Sequence, residues 1–454
     1  MTKIRNISCL TRWLSALLLV TSLTLQMVLP VTYAAETRVA SAEEYAIFLK
    51  DKHGIHIETP ITKGQLIRYV ADLLELQAPE EDVAFTDLDA DDELYASAAA
   101  LYAEGILSGP EVDADEPLKP WVAALIAVRA SNLRELALTY SQFKVDAALA
   151  RLGLSSASFN AVNGRELATA VDTGLIPADY HGEFASNRAA SPELVQTLLG
   201  KVLEFNGAYK RYIGYVSDDD IYSKFITAFE TSNLIEIPTL QPLVDDALKQ
   251  DVVTGYNLKD SRFDANFVPS LTVTYGHSDV RHAIQLLALL RSEGIDARVQ
   301  FEPKTSAYVH RKEWGEPYVD ENSKAVLTEN GNYIHSSMEY DLVLEFFHQE
   351  DKEAFQTIIL QYAKKNASDQ PGLIYGSWFQ PLFYTLTEPK SEGYRLIANN
   401  KITDGYFYAQ TFSLVDATDD IAAGFAKLDP EIEVESYTFW ANEAFYYYLN
   451  GEGL

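Results

Sequence analysis

Between residues 271 and 303 the chain alternates most cleanly: Leu271, Val273 and Tyr275 are separated by Thr272 and Thr274, the two-residue period of a strand with one buried face. Gly276 lets the backbone turn. Ala283, Ile284, Leu286, Leu287 and Leu290 then form a wide apolar stripe at helical spacing, the helix stops at Gly294, and Ala297, Val299 and Phe301 restart the alternation. Farther on, residues 340–346 alternate as a strand and residues 352–365 read as a helix with Phe355, Ile358, Ile359 and Tyr362 inward. Residues 373–386 and 394–415 hold aromatic-rich strands, 419–428 a short helix, 432–440 a strand and 442–449 a last helix. The order strand, helix, strand, strand, helix, strand predicts an α+β domain over residues 271–454, a split βαβ, ferredoxin-like sheet with helices on one face. Before it, Tyr212, Tyr215, Ile221, Phe225 and Phe229 form apolar stripes broken by Pro238 and Pro242, so residues 207–270 read as a helical connecting region.

The N-terminal half is patterned differently. Phe85-Thr86-Asp87-Leu88 is followed by Tyr95, Ala98, Ala99, Leu101 and Tyr102 at helical spacing, then Gly105-Ile106 and Gly109, then Pro117-Leu118 ahead of a second apolar helix over residues 121–130. Asp87 can cap the first helix, and the glycines permit the turn. This stretch resembles an S-layer homology repeat. Upstream, Gly54-Ile55 and Ile61-Thr62-Lys63-Gly64-Gln65 resemble a second copy. Downstream, Gly174-Leu175-Ile176 and Ser191-Pro192-Glu193-Leu194 resemble a third. The resemblance implies an all-α arrangement of three degenerate repeats over residues 35–206, and a multidomain chain overall. It also implies secondary cell-wall polysaccharide as partner. The family's anion-binding arginine falls at Lys63, Pro120 and Pro192, so Lys63 is the one candidate binding residue; a lysine keeps the charge without the forked donors.

Composition sets the address. Lys3, Arg5 and Arg12 precede an apolar run over residues 13–29 and the segment Val31-Thr32-Tyr33-Ala34, the pattern of a secretory signal peptide over residues 1–34. Its removal takes the balance from 36 basic against 66 acidic residues to 33 against 66, a net charge of −33. Such a surface repels nucleic acid and anionic lipid, and no later run is long enough to anchor the chain in a membrane. Cys9, in the leader, is the sole cysteine, which leaves the mature chain without disulfides or thiol chemistry. The address predicted is extracellular or cell-wall, in an envelope of Gram-positive type.

Candidate chemistry gathers at the turn after Gly276, which sits at a helix N-terminus. The helix and the Gly294-Ile295-Asp296-Ala297-Arg298 strand resemble those that follow the cysteine of a transglutaminase-like core. That resemblance puts Asp279 where the nucleophile belongs, with His335 nearest to the catalytic histidine, and so implies an inactive site. Gly276-His277-Ser278 also has the form of a nucleophile elbow, with Val280 where a glycine is needed, which makes Ser278 a candidate nucleophile. Finally, His277, Asp279 and His282 can be brought to one metal ion. Against all three stands the plainer reading that Asp279 caps the helix and the histidines make ordinary hydrogen bonds. The expectation is a secreted, wall-associated protein with a non-catalytic C-terminal domain and no cofactor, its alternative a secreted hydrolase or degenerate transglutaminase-like enzyme.

Overall fold

The computed structural model describes residues 40–363 and 381–452. The leader, and most of the strand expected over residues 373–386, lie outside these. Helices dominate as far as residue 205: Ala42–His53 (α1), Lys63–Leu73 (α2), Tyr95–Ala103 (α3), Pro120–Ala130 (α4), Gln142–Arg151 (α5), Ala161–Asp172 (α6) and Pro192–Phe205 (α7), with shorter turns left unnumbered. Their starts are those the local residues dictate. Ser41, Thr62, Ser141, Asn160 and Ser191 each accept a backbone N–H at their helix N-terminus, Thr62 within a reciprocal capping box with Gln65.

No series of helical repeats is evident. One continuous core, including Tyr45, Phe48, Leu66, Leu118, Leu149 and Leu198, runs through all the helices. The first helix packs on the last: Gly200 in α7 faces the Tyr45 ring so closely that a Cβ there would lie 1.9 Å from Cδ1. Asp87 caps no helix and instead accepts the N–H groups of Val112 (2.8 Å) and Asp113 (2.7 Å), tying two loops together. The caps and turn glycines that resemble repeat motifs are real local features, but the helices they start do not pack as equivalent units.

The ferredoxin-like sheet is overturned more sharply. Ten strands follow: Gly214–Tyr215 (β1), Gly255–Asp260 (β2), Thr272–His277 (β3), Ala297–His310 (β4), Ser323–Leu327 (β5), Tyr333–Phe346 (β6), Phe383–Thr385 (β7), Tyr394–Asp404 (β8), Phe407–Ser413 (β9) and Glu435–Asn442 (β10). All neighbours are antiparallel. The sequence of pairing is β4-β2-β9-β8-β10-β7-β3-β6, and β6 returns to β4 from Ala297↔Phe346 to His310↔Tyr333, which closes an eight-stranded barrel. β1 extends the ring at β4 and β5 at β6. The stretch expected as helical connection thus supplies β2, a full stave of the barrel.

Helices wrap the outside: Ile221–Glu230 (α8), Gln241–Lys249 (α9), Val280–Ser292 (α10), Gln349–Tyr362 (α11) and Thr418–Leu428 (α12). Val273, Tyr275, Val299, Phe301, Leu342 and Leu344 form one core with α8, α10 and α11. Leu258, Ala307, Ile402 and Ala409 form another with α9 and α12. The apolar residues of each alternating strand therefore point outward beneath helices, and the polar ones point into the lumen. One end of that lumen is filled by aromatics, where Phe445 of the last helix, Glu443–Leu449 (α13), packs with Tyr308, Ile397, Phe412 and Phe439.

Helical region and barrel are one compact unit over residues 40–454. Glu44 of α1 accepts from Lys210 (3.0 Å) and Arg298 (2.7 Å), and Glu345 binds the same two cations at 2.9 and 2.8 Å. Of this four-charge square, Lys210, Arg298 and Glu345 are buried between the two regions, and Glu44 is partly exposed. Among the described residues no helix is long and apolar enough to cross a membrane.

Candidate functional site

Cross-strand register brings charges together inside the barrel. Glu302 of β4 stands directly opposite Asp341 of β6, and Lys304 of β4 opposite Lys259 of β2, so two like-charged pairs share one level of the lumen. Each pair neutralises the other. Lys259 Nζ lies 2.6 Å from Glu302 and 3.0 Å from Asp341, and Lys304 Nζ lies 2.5 Å from Asp341. Burial opposes the Asp341 carboxylate, but Lys304 and Lys259 outweigh it and hold its pKa below the ordinary value. Burial likewise opposes the Lys259 ammonium, and Glu302 and Asp341 outweigh it, so Lys259 stays charged. Glu302 titrates above the ordinary carboxylate value because burial dominates there.

Toward the end away from α13, the lumen opens into a cavity of about 550 Å³. Thr272 and Thr274 of β3, Tyr384 and Thr385 of β7, Tyr408 and Gln410 of β9, and Tyr437 of β10 line its walls, with Lys259 and Glu302 at the floor. Burial pushes the Tyr384, Tyr408 and Tyr437 phenols upward in pKa, so all three remain protonated donors at neutral pH. Space, aromatic faces and neutral hydroxyls thus converge in one concave surface.

A strap, residues 261–271, crosses the mouth and is anchored by the lumen's own charges. Glu302 accepts the Ala265 N–H at 2.7 Å, Glu345 accepts that of Val268 at 2.9 Å, and Asp264 accepts the Tyr408 hydroxyl at 2.8 Å. Asp260 holds the Arg262 guanidinium at 2.6 Å. Lys352 of α11, buried and without a carboxylate partner among the described residues, donates to the Ser270 carbonyl (2.8 Å) and to Thr387 (2.7 Å). Burial lowers its pKa to about 8. At the rim, Lys52 of α1 and Arg211 face the same cavity.

The residues singled out by sequence lie elsewhere. His277 follows Val273 and Tyr275 on the outer face of β3. Its ring stacks on His282 (3.9 Å between centroids), its Nδ1 accepts the Asp279 N–H at 2.9 Å, and Tyr275 Oη lies 3.1 Å from His282 Nδ1. Asp279 is the N-cap of α10: it accepts the Arg281 N–H at 2.9 Å and pairs with that guanidinium. The guanidinium's hydrogen bonds keep the Asp279 pKa below the ordinary value. Ser278 lies in the same turn. His335 is on β6 opposite Tyr308, bonded to the Tyr318 carbonyl, and is not brought to this turn. Lys63, at the start of α2, lies 3.4 Å from Asp113. Among the described residues, no group of three or more His, Cys, Asp or Glu side chains could hold a metal ion. Asp279→Ala should cost about 0.5–2 kcal/mol through loss of the cap, measurable as a lower urea midpoint. Ser278→Ala should lower that midpoint less than Asp279→Ala does.

The lumen residues escaped sequence reasoning because Arg298, Glu302, Lys304, Glu339, Asp341 and Glu345 alternate with apolar residues just as a solvated strand face does. The one available signal is the row of six charges itself, at two-residue spacing on two strands. No known family model matches the chain, and no curated protein matches it.

Proposed function

We propose that this is an extracytoplasmic, envelope-associated binding protein that takes a small hydroxylated ligand into the open end of its barrel, rather than an enzyme. The observation that carries the reading is the lumen itself: a cavity of about 550 Å³ walled by protonated tyrosines and threonines, with aromatics among the described residues filling the opposite end. Binding is favoured over catalysis because the charged groups at the floor are satisfied by one another, Lys259 and Lys304 by Glu302 and Asp341, which leaves neutral hydroxyl and amide groups to meet a ligand. The location rests on the basic-then-apolar leader and the cysteine-free, strongly acidic remainder of the chain. The wall-glycan contact expected at Lys63 belongs to the same proposal, though that lysine already has Asp113 beside it.

The test is a ligand-observed NMR screen of sugars, polyols and hydroxy acids against protein recovered from the wall or medium fraction. Binders should appear with the native chain and disappear in Leu386→Trp, which fills the rim from a position that is half exposed and outside the core. Absence of any binder, or binders indifferent to that substitution, would sink the lumen as the site.

A further inference from the structure

The charges at the mouth do not balance. Of the cations lining the cavity, Lys259 is taken by Glu302 and Asp341, and Arg262 by Asp260. Two remain. Arg211 donates only to backbone carbonyls, those of Gly207 (3.1 Å) and Asp264 (3.5 Å). Lys52 makes neither a hydrogen bond nor an ion pair with any described residue. Among the described residues that line the cavity, one carboxylate stands against them without a cationic partner, Asp264, whose Oδ1 accepts from Tyr408. Glu345, the other carboxylate close by, is held between Lys210 and Arg298. The rim therefore carries an excess of one positive charge, on a protein whose formal net charge is −30. An ammonium that has been partly removed from water without a counter-charge costs free energy, and an arriving anion recovers it.

We propose, building on the lumen as the binding site, that the ligand carries an acid group and that Lys52 receives it, with Arg211 as a second donor at the rim. Lys52 comes from the last turn of α1, whereas the rest of the cavity belongs to the barrel and its strap. The site is thus composite: the helical region supplies the charge that selects the ligand, and the barrel supplies the hydroxyl and aromatic walls that hold its body. In keeping with this, burial depresses the Lys52 pKa although Glu345, Asp264 and Glu302 all act to raise it, so those carboxylates do not fully compensate its charge. The four-charge square joining α1 to β4 and β6 fixes the helix that presents Lys52, so its position does not depend on a flexible tether.

Matched sets of ligands test this on the full chain: small hydroxy-carboxylates, the corresponding phosphate esters and the corresponding neutral alcohols, screened by ligand-observed NMR and titrated against native protein and Lys52→Met. Native protein should prefer one or both acid series over the alcohols by about tenfold or more, the worth of a charge-assisted contact. Lys52→Met should remove most of the acid preference, and Lys52→Arg should restore much of it. The carboxylate and phosphate arms distinguish which acid group is read. Equal binding of acids and alcohols by the native protein, or an acid preference undiminished in Lys52→Met, would overturn the inference while leaving the lumen as the site. No binding by any series in a folded native protein would remove both.

Discussion

Asp341→Ala should lower the unfolding free energy by about 3–5 kcal/mol, the cost of leaving buried charge without its partner. Among the described residues, Asp341 is the carboxylate that contacts both Lys259 and Lys304, and all three side chains are nearly inaccessible. Without it, Lys259 keeps only Glu302, and Lys304 loses the contact at 2.5 Å. Lys259 and Lys304 would then keep their charge at positions 3% and 2% exposed. The effect should also show in the acid limb. The folded pKa of Asp341 lies below its unfolded value, so its contribution is complete above the unfolded carboxylate range, about pH 3.9, and is lost as pH falls through the folded pKa. The variant should therefore lose less stability than the native chain over that acid range. Urea titrations from pH 3 to 7 measure both effects. A loss of under about 1 kcal/mol at pH 7 would mean that the lumen charges are solvated and behave like surface pairs.

This same cluster explains what could and could not be read from the chain. β3, α10 and the first half of β4 were legible because each obeys one period over a short span: Val273 and Tyr275 every second residue, Ala283, Leu286, Leu287 and Leu290 on one helical face, then Ala297, Val299 and Phe301. The capping role of Asp279 was legible for the same reason, since a cap is a relation between residues two positions apart. Closure of the barrel was not. It depends on β6 returning to β4 and on β2, a six-residue strand buried along its whole length, finding a place between β4 and β9. The alternation in β2, Tyr256 and Leu258 against Asn257 and Lys259, spans only four residues, too few to mark a strand by itself. The site was invisible for a related reason: Lys52, Thr274, Glu302, Tyr384 and Tyr408 come from five separate stretches of chain and meet only once the ring has closed. In the helical region, the caps and glycines that look like repeat motifs report where helices begin and end, whereas partner choice is decided by contacts such as Gly200 against Tyr45, over 150 residues apart.

The second large effect is expected at the junction of the two regions. Glu345→Ala should cost about 3–5 kcal/mol, and should also change how the protein unfolds. Glu345 is fully inaccessible and has three tasks: one oxygen binds Lys210 and Arg298, and the other accepts the Val268 N–H that fixes the strap. Its loss leaves two buried cations facing Glu44 alone and an amide at the mouth without its acceptor. The stabilising carboxylate of α1, Glu44, titrates below its ordinary value because Lys210 and Arg298 outweigh its burial, so it cannot be released without a further penalty. Breaking the square should therefore uncouple the helical region from the barrel. Native protein should unfold in urea as one transition seen alike by far-ultraviolet circular dichroism and by tryptophan fluorescence, which reports Trp440 in the barrel among others. In Glu345→Ala the single transition should split in two, the helical region unfolding at lower urea than the barrel. Placing methionine at both Arg298 and Glu345 should recover part of the lost stability, since an apolar pair of similar volume avoids the desolvation of unpaired charge. Coincident transitions in Glu345→Ala, at the native midpoint, would show that packing of Val268 and Leu271 against the helical core joins the two regions without help from the ion square.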